Sequence, residues 1–115
     1  MATSAKSAPP KFARIWRGRT LKEKADEYER YWLQSGIAPL QEKGALAVQM
    51  LRDDRGAETE FMTISYWDSI EAMTKDPKAD PYRAHPLERD AEFLIELPQR
   101  VQILAILESR GSHAT

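Results

Sequence analysis

Residues 21–35 carry apolar side chains at the spacing of an amphipathic helix. Leu21, Ala25, Tyr28 and Trp32 follow one another at intervals of four, three and four residues. Such spacing places the four side chains on one side of a helix, as an apolar stripe that can pack against a sheet. Thr20 followed by Glu23 predicts a capping box at the start of this helix. Gly36 and then Pro39 predict its end.

Four other stretches are rich in β-branched, aromatic and aliphatic residues and predict strands. They are residues 12–18, 44–54, 59–68 and 101–108. The charged, glycine-containing segment between the second and third stretches predicts an antiparallel hairpin. Residues 91–98 are consistent either with a strand or with a packed irregular segment.

Two shorter helical segments are predicted in the second half of the chain. Asp68 is placed to cap a short helix over residues 69–75. The Asp-Pro pair at 80–81 predicts a further helical turn, which would carry Tyr82 and His85.

The order strand, helix, strand, strand, helix, strand defines the fold class. It predicts an α+β, ferredoxin-like split βαβ fold, in which a four-stranded antiparallel sheet carries both helices on one face. We expect residues 11–108 to form this single domain, with a disordered N-terminal tail over 1–10 and a C-terminal tail over 109–115.

Several predicted strands are apolar on both faces, which an antiparallel sheet with one solvated face should not be. In the second strand Leu46, Val48 and Met50 alternate with Ala45, Ala47 and Leu51. In the last strand Val101, Ile103 and Leu107 alternate with Leu104 and Ile106. Because two helices cover one face only, the pattern predicts that the other face packs on a second copy in a symmetric homodimer.

Composition narrows the classes of function. The 17 basic and 18 acidic residues are interspersed, which does not favour nucleic acid as a partner. Cysteine is absent, so disulfides, thiolate nucleophiles and zinc–thiolate sites are excluded. The longest apolar run, 103–107, is far too short to span a membrane. The N-terminus lacks an apolar signal region, and the cytoplasm is the default expectation.

His85 and the arginines of the first strand are the main candidates for site chemistry. His85 could act in a pocket, or its imidazolium could simply lie at the negative end of a helix. The alternation along a strand places Arg17 on the face opposite Arg14 and Trp16. An inward-facing arginine must find a partner or an anionic ligand. Residues 88–92 predict a solvated, charged surface.

Three stretches together resemble the antibiotic biosynthesis monooxygenase family. They are the helix TLKEKADEYERYW, the strand-to-helix junction ISYWDSIEAM and the segment DPYRAHP. The resemblance covers residues 11–108 and implies a dimeric α/β barrel with varied chemistry, from cofactor-free oxygenation to heme binding and heme opening.

The heme-degrading branch of that family implies an axial iron ligand at His85, assisted by an asparagine on the first strand and a tryptophan in the second helix. This chain contains no asparagine, and its second helix reads IEAMTK without tryptophan. The difference argues against ring opening and leaves heme binding by His85 as an alternative. No other metal site is expected, because one histidine outside the tails provides no ligand spacing.

The leading hypothesis is therefore an enzyme, a cofactor-independent monooxygenase and thus an oxidoreductase, that acts on a hydrophobic or aromatic small molecule. His85 would be the base, with Tyr82, Arg14 or Arg17 stabilising the oxyanion. Substrate contacts are expected from Trp67, Arg14, Trp16, Tyr28 and Trp32, although Tyr28, Trp32 and Trp67 also suit a core. The alternatives are a heme-binding protein and a non-catalytic homodimeric binding module.

Overall fold

The computed structural model describes residues 9–111, so most of both predicted tails lies outside it. The sheet consists of β1 (Phe12–Leu21), β2 (Ala47–Arg55), β3 (Glu58–Trp67) and β4 (Gln102–Ala105). The helices are α1 (Ala25–Ser35), α2 (Ala38–Lys43) and the single-turn α3 (Asp90–Phe93), with 3₁₀ turns at Lys22–Lys24 and Glu71–Met73. The strand order is β2-β3-β1-β4, and every pairing is antiparallel. This sheet, with its helices on one face, confirms the predicted α+β ferredoxin-like fold.

The hairpin of β2 and β3 has the predicted position. Arg55 lies opposite Glu58, which leaves a two-residue turn. Gly56 opens that turn at a φ of 77°, a left-handed conformation that glycine adopts without steric cost.

The first strand is longer than predicted, and the predicted capping box is wrong. β1 stays paired with β3 as far as Leu21, which lies opposite Glu58. Thr20 is consequently a buried strand residue, and its Oγ1 has no hydrogen-bond partner among residues 9–111. Backbone pairing outweighs the local capping signal, and α1 begins only at Ala25. Leu21, the first member of the apolar stripe, is 48% exposed, whereas Tyr28 is completely buried.

Pro39 begins a helix rather than ending one. α1 ends at Ser35, and Gly36 follows it in a right-handed conformation. Pro39 lies in the first turn of α2, where its missing N–H costs nothing because no acceptor exists there. Gly44, at a φ of 107°, ends α2.

The helices predicted for residues 69–75 and 80–85 do not form as expected. The first is reduced to a 3₁₀ turn, beside which Ser69 Oγ accepts a hydrogen bond from Ala72 N at 3.2 Å. The second is a tight turn, in which Asp80 Oδ1 accepts from Tyr82 N at 2.9 Å. Asp80 satisfies this backbone by itself, so no helix is needed to do so. His85 therefore does not lie at a helix end, and its predicted alternative role there is wrong.

Residues 91–98 combine a helical turn with strand-like pairing. α3 supplies the turn, and Leu94 then forms a bridge opposite Thr20. Ile95 N donates to Arg19 O at 2.8 Å. The segment thus lies beside the end of β1, on the side of the sheet that the helices cover.

The main core lies between α1, α3 and the sheet. Its buried members are Ala25, Tyr28, Trp32, Phe61, Phe93 and Leu94. The opposite face of the sheet carries no helix. The register places Ala13, Ile15, Met62, Ile64, Tyr66 and Leu104 on that open face.

Candidate functional site

A cavity of about 100 Å³ opens between the helix-covered face of the sheet and the two helices α1 and α2. Its wall combines aromatic rings with a few polar groups, the usual composition of small-molecule sites. The residues that matter most for its chemistry are Arg14, Trp16, Tyr28, Trp32, Asp90 and His85. Thr63 and Ser65 add hydroxyl groups from β3.

The aromatic wall is assembled from β1 and α1. Tyr28 and Trp32 stack with their ring centroids 6.2 Å apart, and Trp16 lies 6.4 Å from Trp32. Phe61 meets the edges of the Tyr28 and Trp32 rings from the sheet, at 5.0 Å from each. This packing holds the rings that reach the cavity, since aromatic pairs of this geometry stabilise one another. Three of the predicted substrate-contact residues are thereby brought together.

Arg14 is the inward-facing arginine of β1; the strand alternation predicted only that Arg14 and Arg17 lie on opposite faces. Its Nε donates to Pro81 O at 3.2 Å and its Nη2 to Arg83 O at 2.9 Å. Within residues 9–111 it forms no ion pair. Burial lowers the pKa of its guanidinium. Arg14 thus brings an uncompensated positive charge to the cavity and ties β1 to the loop that carries His85.

Arg17 lies on the opposite face of the sheet, also as predicted. Its Nη1 donates to Gln102 Oε1 at 3.0 Å, away from the cavity. The position of Arg17 therefore does not support its predicted alternative role as an oxyanion donor.

His85 lies at the mouth of the cavity, where its side chain is exposed to solvent. Backbone bonds hold its loop, with Ala84 N donating to Gln99 O at 3.0 Å. Partial burial against the wall lowers the pKa of the imidazole, and the positive charges of Lys43, Arg14 and Arg83 lower it further. At neutral pH the imidazole is therefore mostly uncharged and able to accept a proton.

Lys43 is a site residue that sequence reasoning missed. It is the last residue of α2, the helix that was not predicted. Burial lowers the pKa of its ammonium, as do the nearby charges of Arg14 and Lys75. A proline at the first turn was the available signal for α2 and thus for the position of Lys43.

Asp90 was predicted to lie on a solvated surface, and this is wrong. The residue is 2% exposed and lines the cavity. Its Oδ1 accepts from Tyr28 Oη at 3.0 Å, and its Oδ2 accepts from Leu87 N at 2.9 Å. Burial raises the carboxyl pKa, while these two hydrogen bonds oppose the shift. Arg89 and Glu92 do form an exposed ion pair at 2.9 Å, as expected of that charged stretch.

A second cavity of about 270 Å³ adjoins the first. It lies under the segment 73–81 and shares Arg14, Lys43 and His85 with the first cavity. The two cavities therefore meet at a group of three nitrogen-bearing side chains.

Trp67 and Tyr82 are not part of either cavity wall. Trp67 is completely buried, and its Nε1 donates to Ser65 Oγ at 2.9 Å, so its role is in the core. Tyr82 is 37% exposed, and the guanidinium of Arg100 lies 5.7 Å from the centre of its ring. The structure thus does not bring these two predicted site residues to His85.

Fold and cavity together define the class of this protein as a ferredoxin-like α+β domain with an aromatic cavity beside its sheet. The family model for antibiotic biosynthesis monooxygenases matches residues 12–85, more than half of the chain. The chain belongs to the antibiotic biosynthesis monooxygenase family.

Seven chains of known structure match the fold. One is the crystal structure of a putative antibiotic biosynthesis monooxygenase from Bacillus cereus, with a TM-score of 0.60 and 12% sequence identity. The match covers 90% of this chain and 99% of the Bacillus chain. At this identity the likeness concerns the fold alone.

No curated protein matches the sequence significantly. Among the described residues, no helix is both long and apolar enough to cross a membrane.

Proposed function

We propose that this protein is a cofactor-independent monooxygenase that acts on a hydrophobic, aromatic small molecule with an acidic C–H bond. One observation carries the proposal: His85, whose imidazole is biased to the neutral form, opens onto the same aromatic cavity as the unpaired cation of Arg14. A base and a fixed positive charge beside a planar binding surface are what oxygenation through a substrate carbanion requires.

The first step is proton removal from the substrate carbon by His85. The imidazole takes up the proton, and the electron pair of the C–H bond remains on the substrate as a delocalised carbanion. The nearby guanidinium of Arg14 favours this negative charge, because a group in partial burial is weakly screened.

The carbanion then reacts with dioxygen to give a peroxide on the same carbon. The peroxide takes up a proton and becomes a hydroperoxide. The second hydrogen of that carbon then leaves as a proton while the O–O bond breaks and water is lost. A carbonyl group remains. One methylene and one dioxygen thus give one carbonyl and one water, so the substrate itself supplies the electrons. A compound of the anthrone type has such a methylene.

The test is oxygen consumption with anthrone in buffer treated with a metal chelator. We expect uptake of one dioxygen per anthrone, and we expect His85→Gln to reduce the rate by a factor on the order of 10². His113→Gln is the matched control, since it removes the chain's other imidazole, which lies outside the described residues. Equal rates in native protein and His85→Gln would contradict the role of His85 as the base. Absence of uptake across a panel of anthrones and phenols would favour a non-catalytic binding module.

Heme binding is the alternative that His85 supports. The lowered pKa of His85 suits a residue that would hold the heme iron, because a metal binds the neutral imidazole. When bound, the heme would supply redox chemistry toward dioxygen. A hemin titration followed by absorbance tests this alternative: a saturable Soret shift that disappears in His85→Ala would favour it over the cofactor-free reaction.

We also propose that the open face of the sheet packs against a second copy of the chain in a homodimer. The face carries a continuous set of apolar residues at the centre of the sheet, where Ile15 and Ile64 lie opposite each other. Such a surface gains stability from burial against an apolar partner. The symmetry of a homodimer places the same apolar patch on both sides.

A further inference from the structure

Three cationic side chains without an ion-pair partner in the described chain line the second cavity together. Arg14, Lys43 and Lys75 line it, and none of the three takes part in an ion pair among residues 9–111. Six arginines elsewhere in the described chain form ion pairs, whereas no lysine among residues 9–111 does. Arg52, for example, contacts Asp26, Glu29 and Asp54 at 2.7–2.9 Å.

The two acidic residues on the cavity wall are occupied by other groups. Asp80 pairs with Arg100 at 3.0 Å and accepts from Tyr82 N at 2.9 Å. Asp76 Oδ1 accepts from Lys78 N at 2.9 Å within its own turn. Neither carboxylate is within ion-pair distance of Lys43 or Lys75. The lining thus holds three cations against the two carboxylates, and the charge of Asp80 is already offset by Arg100.

The electrostatics of the shared residues agree with this description. Burial lowers the pKa of the Lys43 ammonium, and the charges of Arg14 and Lys75 lower it further. Each neighbouring charge that lowers the pKa of His85 is also a cation. Like charges that lie close together destabilise one another, and a bound anion would relieve that repulsion.

We propose that the second cavity binds a carboxylate carried by the aromatic ligand of the first cavity. Lys43 and Lys75 hold the carboxylate, and Arg14 lies at the junction where the aromatic body begins. The proposal deepens the proposed function, on which it rests for the aromatic ligand, and it names the substrate class as aromatic carboxylates. Binding of a carboxylate does not require turnover, so the two proposals can fail separately.

The test compares 2-naphthoate with 2-naphthamide by isothermal titration calorimetry. The two probes share a ring system and nearly the same shape, but only the first carries a charge. We expect the native protein to bind 2-naphthoate at least about tenfold more tightly. In the double variant Lys43→Met/Lys75→Met the two probes should bind with about equal affinity. The affinity for 2-naphthamide should change little from that of the native protein. Lys22→Met is the control, because Lys22 is exposed beyond the far end of β1 and should keep the preference.

Equal affinity of the native protein for both probes would overturn the proposal, as would a preference that survives in Lys43→Met/Lys75→Met. Absence of binding by either probe would overturn it together with the aromatic site. A preference that is retained in a protein that consumes no oxygen with any of the anthrones and phenols of the panel would support the carboxylate site and contradict the oxygenase function. Circular dichroism of each variant establishes that its fold is intact.

Discussion

Tyr28 Oη donates a hydrogen bond of 3.0 Å to Asp90 Oδ1, and this bond joins the middle of α1 to the segment that follows His85. Both residues are almost completely buried. The bond satisfies a carboxylate that otherwise would face the aromatic core, and it fixes one wall of the candidate site.

Tyr28→Phe should therefore destabilise the protein by about 1–3 kcal/mol, because it leaves one oxygen of a buried carboxylate without its donor. Tyr31→Phe is the matched control, since Tyr31 Oη accepts from Arg89 N at 2.9 Å in an exposed position. The free energy of unfolding from urea titration measures both. A similar small loss in the two variants would contradict the importance of the buried bond.

Arg14→Gln should lower kcat/KM for oxygenation by a factor on the order of 10², because it removes the charge that faces the cavity. Arg17→Gln removes the same group three residues along β1, on the open face, and should leave kcat/KM close to the native value. Arg14→Lys should recover part of the activity, since it retains the charge but loses the hydrogen bond to Arg83 O. If Arg14→Gln and Arg17→Gln behave alike, Arg14 has no role in stabilising the anion.

The pH dependence of His85 follows from its partial burial and from the cations around it. Because they disfavour the imidazolium, kcat/KM should rise as pH increases through a midpoint below 6.5, the ordinary histidine pKa. Lys43→Met removes one of these charges and should move the midpoint upward. A ¹H–¹⁵N NMR titration of the imidazole measures the same pKa without substrate. An unchanged or lower pKa of His85 in Lys43→Met would contradict the described electrostatics.

Gly18 leaves the space in which the indole of Trp16 lies along the sheet. A Cβ at position 18 would come within 2.6 Å of Trp16 Cη2, so Gly18→Ala must displace the ring. We expect a loss of about 1–3 kcal/mol in stability and weaker binding of 2-naphthamide, since Trp16 is part of the cavity wall. In a Trp16→Leu background the same substitution should cost less, which a double-mutant cycle measures. Additive effects of the two substitutions would show that they do not interact.

The proposed homodimer can be tested on the open face. Ile64→Asp places a charge at the centre of that face and should shift the protein from dimer to monomer in sedimentation velocity. Leu33→Asp is the control, because Leu33 is an equally apolar residue, 48% exposed on α1, away from the sheet. A native protein that sediments as a monomer would contradict the proposal directly.

The sequence by itself determined the fold class, because the order of strands and helices and the two-sided apolar pattern are local signals. It also determined that Arg14 and Arg17 face opposite sides, since alternation follows from strand geometry. Residues 12–16 and 59–67 needed no tertiary information to be recognised as strands.

Tertiary structure decided which side chains come together in the candidate site. Backbone pairing as far as Leu21 overrode the capping signal of Thr20, and the Asp80 turn replaced the helix expected to carry His85. Charged residues such as Asp90 and Lys43 have local patterns typical of a solvated surface, and only long-range packing buries or shields them. A cavity depends on which residues distant in sequence come into contact, and the local periodicity of the sequence does not contain that information.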